Sequence, residues 1–148
     1  MDYELLRDGL ARAVPFNEHV GIEILELSEG RGVVRLPDAA RLRNHTGSQQ
    51  AAALFAAGEA AAVAALVATF GERLEALRPR PDGAQISYKK IARGPITATG
   101  VIGSGAGEVL DELEREGEAR VTVDVALVNG AGDVVAELTV RRLIMRET

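Results

Sequence analysis

A chain of 148 residues, 47% of them hydrophobic and 26% charged, has the length for one domain with a sizeable core and is neither disordered nor collagen-like in composition. Its formal charge of -5 and its 3% aromatic content withhold the basic footprint and the stacking surface that nucleic acids require, so no nucleic-acid partner is expected. The absence of cysteine excludes disulfides, thiolate metal sites and a cysteine nucleophile, and it suits a reducing cytosol.

The chain opens on "MDYELLRDGLARAV", with Leu5, Leu6, Leu10 and Val14 at helical spacing and Pro15 as the stop. This start is acidic and amphipathic rather than basic and then apolar, so it does not read as a secretory signal, and a cytoplasmic location is expected. "GIEILELSEGRGVVRLP" follows, in which apolar and acidic residues alternate up to Glu29-Gly30 and then give way to Val33, Val34 and Leu36. Two strands joined by a tight turn are expected.

The loop "DAARLRNHTGS" leads into an alanine-rich helix from about Gln49 to Leu74, with Ser48 or Thr46 as its expected N-cap and "ERLEALR" as its fraying end. Residues 51 to 70 are long enough to span a bilayer. Alanine, however, contributes little transfer energy, and the mid-helix Glu59 would cost about 2.5–3.5 kcal/mol in lipid, so a helix covered by a sheet is expected and no membrane partner.

After the breaker "RPRPDG" come "AQISYKKIA" and "PITATGVIGS", both β-branched in character and separated by Arg93-Gly94. "GEVLDELEREGEA" reads as a charged helix, and "RVTVDVALVNGAGDVVAELTVRRLIM" as two long alternating strands around "NGAGD". The expected architecture is α+β, a single domain over residues 1–148 with an antiparallel sheet of about six strands around one long helix.

Glu59 is the first candidate for chemistry. A carboxylate beside Gly58 and a run of alanines is desolvated and demands a partner. It is either a general base or nucleophile at a cleft, or an acid paired with one of the many arginines or facing solvent through a gap in the cover. The second candidate is the helix start, "NHTGSQQAA", whose unpaired backbone N–H groups and partial positive charge suit an anion or a developing oxyanion. Ala51 and Glu59 lie eight residues apart, roughly 12 Å along the axis. Both can act on one carbonyl only if one chain's Glu59 faces another chain's helix start, so composite sites at a two-fold interface are expected.

Other candidates carry less. Ser48 lacks a strand-elbow context and reads as a cap. His45 reads as a loop residue, and His19 and His45 have no converging ligands, so no metal site is expected. "GSGAGE" at residues 103–108 misses the dinucleotide fingerprint and reads as a turn.

The stretch "NHTGSQQAAALFAAGE" resembles the motif of hotdog-fold acyl-CoA thioesterases of the PaaI-like type, and in particular the related DUF4442 family. The motif's Asn, Gly, His-Gly-Gly, Leu-Phe and closing acid fall on Asn44, Gly47, Gln50-Ala51-Ala52, Leu54-Phe55 and Glu59. The strand order fits over nearly the whole chain, and "YKKIARGPITATG" and "EREGEARVTVDVALVNGAGDVVAELTV" resemble the family's later strands. Gln50 replaces a common His, and Ala51-Ala52 replace the glycine pair.

The resemblance implies a hotdog fold and an acyl-CoA thioesterase acting as a homodimer or dimer of dimers, in which two protomers join their sheets and the acid works across the interface. It needs no cofactor, the coenzyme A moiety being part of the substrate. Glu59 would attack the thioester carbonyl or activate water, the Ala51 N–H would polarise the carbonyl, and Asn44 would orient the reactants. Gly47 and Gln50 would lie at the substrate. Lys89, Lys90 and Arg93, which include both lysines of the chain, would meet the coenzyme A phosphates or simply line a solvated strand edge. The alternatives are a non-catalytic hotdog module that binds acyl-CoA or a lipid-like ligand and, less well matched because the helix holds no His, a hotdog dehydratase.

Overall fold

Pro15 stops one helix and starts another. In the computed structural model, which describes residues 1–146, α1 (Tyr3–Ala13) is capped by the Asp2 side chain, and Pro15 becomes the first residue of a short second helix, α2 (Pro15–Val20). A proline at that position gives up only an N–H that the helix would leave unpaired, which is why the expected stop also serves as a start. Gly21, in the left-handed region at φ 89°, ends α2.

The expected hairpin is β1 (Glu23–Ser28) and β2 (Arg31–Leu36). A short 3-10 turn at Ala40–Leu42 precedes α3 (Ala51–Phe70). This helix is shorter than expected at both ends: Gln50, rather than Ser48 or Thr46, is its N-cap, and after Gly71 the charged segment forms a separate turn of helix, α4 (Arg73–Leu77).

The largest departure from expectation is β3 (Arg80–Tyr88), which runs straight through Pro81 and Gly83. Its position accounts for this. The sheet order is β1-β2-β4-β5-β6-β3, so β3 is an edge strand, and its register with β6 slips between Pro81 and Gly83. An edge strand can spare the N–H that proline lacks. The remaining elements are β4 (Ile96–Ile102), α5 (Ala106–Glu116), β5 (Glu118–Val128) and β6 (Val134–Met145), the strands all antiparallel to their neighbours. The glycine-rich turn at residues 103–105 only connects β4 to α5.

The sheet wraps α3. Thirteen of its 20 residues are buried, against β2 and β4 above all. The alanines and two glycines permit the close approach: a Cβ on Gly100 would lie 2.6 Å from the carbonyl oxygen of Ala61, and one on Gly32 2.6 Å from the backbone nitrogen of Ala65. Helix and sheet therefore meet backbone to backbone, which explains why the most apolar segment is built of the smallest side chains. The helix is long and apolar enough to cross a membrane, yet here it is the core of the fold.

Candidate functional site

The turn before α3 is organised by Asn44. Its Oδ1 accepts from the Thr46 N–H (3.0 Å), the Thr46 hydroxyl (2.8 Å), the Ser48 N–H (3.2 Å) and the Ser48 hydroxyl (3.2 Å), while its Nδ2 donates to Ser48 Oγ at 2.9 Å. An Asn side chain holding backbone N–H groups two and four residues ahead is a turn-forming device. Gly47 takes the left-handed conformation the turn requires, φ 81°. Ser48 belongs to this network and does not cap the helix.

Gln49, which the sequence pattern does not single out, ties the turn to its surroundings. It is 4% exposed, and its N–H donates to the Ala92 carbonyl at 2.8 Å. Its Nε2 donates to the carbonyls of Pro37 and Gly94, at 3.0 Å each. The end of β2, the helix start and the segment after β3 are clamped through this one side chain.

Beside the clamp lies an open cleft of about 360 Å³, with Asn44, Gln50, Ala51, Leu54, Tyr88, Lys89 and Lys90 on its walls. The Tyr88 hydroxyl donates to the Ala51 carbonyl at 3.3 Å, joining the edge strand to the first turn of α3. The Ala51 N–H donates to Oε1 of the neighbouring, exposed Gln50 at 3.1 Å. Lys90 lies 3.6 Å from Asp133 across the turn between β5 and β6. Arg93 is not on the wall; its guanidinium sits beside Gly47. Behind the helix start, Phe16, Val20, Leu42, Ala53 and Ala56 line a smaller, mostly apolar pocket of about 210 Å³ that opens to solvent at the exposed Phe16, with Arg41 and Gln50 also on its wall.

Glu59 lies two turns along α3, away from the cleft, on the side facing β6. Gly58 lets this part of the helix approach Leu138, and further along the same face of the strand Arg142 meets the Glu59 carboxylate directly, Nη2 to Oε1. The Arg142 side chain is 7% exposed and that of Glu59 35%. Burial lowers the pKa of Arg142 from the ordinary arginine value by penalising its charged form, and the Glu59 carboxylate is its ion-pair partner. Among the described residues no other side chain bonds either partner, and Glu59 Oε2 is left without one.

The fold thus gathers Asn44, Gln50, Ala51, Lys89 and Lys90 around one cleft and holds Glu59 apart from it, paired with a residue the sequence did not nominate. Period two along β6 was the available signal: it places Arg142 on the same helix-facing side as Leu138, Val140 and Ile144. His19 and His45 lie on separate elements, and no group of three potential metal-binding side chains occurs among the described residues.

Solved structures share this architecture. A protein of unknown function from Pseudomonas aeruginosa, described as a probable thioesterase, is similar at TM-score 0.84 and 24% identity over 97% of this chain and 95% of that one. The PaaI protein of the E. coli phenylacetic acid degradation operon is similar at TM-score 0.76 and 18% identity, over 98% and 93%. The phenylacetic acid degradation protein PaaI from Thermus thermophilus, in a mutant form, is similar at TM-score 0.68 and 20% identity, over 90% and 100%. Likeness at such identities establishes the fold, the hotdog fold. A search of the curated proteins gives no match. The family model of a domain of unknown function, DUF4442, matches residues 3–144, and the chain belongs to that family.

Proposed function

We propose that this protein is an acyl-CoA thioesterase-like hydrolase that works as a cytoplasmic homodimer, with Glu59 of one protomer acting on a thioester bound at the helix start of the other. The observation that carries the reading is the placement of Glu59. It is a partly exposed carboxylate on a mostly buried helix, paired with Arg142 of β6, the strand next to the edge strand β3. A second copy approaching along β3 would bring its own helix start toward that acid, bridging the roughly 12 Å that separates the two features within one chain.

In that arrangement the acyl thioester enters the 360 Å³ cleft, and Lys89 and Lys90 on its wall meet the phosphates of coenzyme A, with Arg93 further out. The Ala51 N–H points at the developing oxyanion once the exposed Gln50 side chain swings away from it. Asn44 acts by holding the turn in shape, because its Oδ1 already has four donors. The apolar pocket behind Gln50 takes the acyl chain. Glu59 either takes a proton from water, whose oxygen adds to the carbonyl, or itself adds to form an acyl-Glu59 anhydride that water then hydrolyses. The C–S bond breaks, coenzyme A leaves as the thiol with a proton that comes from that water, and the acyl group leaves as the carboxylic acid.

One observation favours a second reading, a non-catalytic module that binds acyl-CoA or a lipid-like ligand: the Ala51 N–H, the Asn44 amide and the Glu59 carboxylate all have partners within the chain. A panel of acyl-CoA esters assayed by release of free thiol separates the two. Hydrolysis requires turnover by wild type and its loss in Glu59→Gln. Ligand-induced thermal stabilisation without any thiol release supports the binding module instead.

A further inference from the structure

Arg142 is the one charged residue on the helix-facing side of β6, between Val140 and Ile144, and its cross-strand neighbour on β5 is the fully buried Val121. A charge is rarely placed there for stability, since replacing a buried ion pair by packed apolar side chains is often neutral or stabilising. The pair is also unequal. The Arg142 side chain is 7% exposed and fixed in the wall of the core, whereas that of Glu59 is 35% exposed, held by one oxygen and leaving Oε2 without a partner among the described residues. A buried cation thus anchors one end of a carboxylate and leaves the other end available.

From this geometry we infer that Arg142 is a positioning residue: through its contact with Glu59 Oε1 it fixes the carboxylate so that Oε2 is the oxygen presented to the reaction. The inference rests on the reading of Glu59 as the reactive acid. Arg142 does not touch substrate. It removes the rotational freedom of a side chain that would otherwise sample several rotamers beside a glycine, and misplacement of a reactive group by about 1 Å can cost on the order of 100-fold in rate.

The test is steady-state thioester hydrolysis by Arg142→Met, Arg142→Lys, Glu59→Gln and the double variant Glu59→Gln/Arg142→Met. Each is followed by thermal melting to confirm that it is folded, and Arg141→Met on the opposite face of β6 serves as the control. The expected result is a fall in kcat of about 100-fold in Arg142→Met with KM little changed, partial recovery in Arg142→Lys, and a double variant no slower than Glu59→Gln alone, because Arg142 acts only through Glu59. A purely structural Arg142 lowers the melting temperature but leaves kcat per folded protein intact, which overturns the inference while Glu59 keeps its role. Losses that multiply in the double variant also overturn it. A wild type inert toward every thioester removes the hydrolase reading and this inference together.

Discussion

The two sides of the central helix are built on opposite terms. Toward β2 and β4, Ala61, Ala64 and Ala65 meet Gly32 and Gly100 with no room for a methyl group, and the interface is apolar and closed. Toward β6, the strand next to the edge strand β3, the same helix carries Glu59 over a single buried arginine, and part of its surface stays open. Close packing fixes the helix on one side, so that the other side can hold a charged group at a defined place. Close packing and a placed charge are thereby divided between two faces of one element, each depending on different residue types.

Breaking the closed side has the largest expected effect. Gly100→Val drives a branched side chain into the Ala61 carbonyl, and helix and sheet must separate; about 3 kcal/mol or more of stability is lost, measured by urea unfolding. On the open side, Arg142→Met leaves Glu59 without its cation. Because Glu59 retains about a third of its exposure, the expected loss is about 2 kcal/mol, below the 3–5 kcal/mol of a fully buried pair. Replacing both partners, as Glu59→Leu/Arg142→Met, should restore most of that stability while abolishing activity, and this outcome separates the pair's reactive role from any structural one. The smallest effect is expected at Gly58, where an added methyl would lie 2.5 Å from Cδ2 at the end of the buried Leu138 side chain, which must turn aside to admit it. In Gly58→Ala the gain in helix propensity offsets the crowding, and stability stays within about 1 kcal/mol of wild type.

The closed side was largely legible in the sequence. Alternation in the strands and the apolar run at residues 51–70, interrupted only by Glu59 among charged residues, specify a sheet around a helix, because period and burial are properties of each segment alone. What stayed illegible depends on long-range position. Pro81 and Gly83 read as breakers, and only the place of β3 at the sheet's edge makes them tolerable. Ser48 reads as the helix cap until Asn44 is seen to claim its hydroxyl, which leaves Gln50 to cap. The demand of Glu59 for a partner was visible in its apolar setting, but the identity of that partner was not. Arg142 lies 83 positions away, one of many arginines, and only the pairing of β6 with β5 and β3 brings it under the helix.

The central claim is that the acid and the helix start cooperate across two chains, and subunit mixing tests it most directly. Ala51 is the first residue of α3, where proline fits the helix, and Gln50 already has the extended backbone that a following proline requires. Ala51→Pro therefore removes the N–H donor while keeping the fold, and it should cost about 100- to 1000-fold in kcat. When Ala51→Pro and Glu59→Gln chains, each nearly inactive alone, are unfolded together and refolded in equal amounts, half of the dimers are mixed and each mixed dimer regains one intact composite site. The account predicts recovery of about a quarter of wild-type thiol release. No recovery, in mixtures shown by mass spectrometry to contain the mixed dimer, would contradict it.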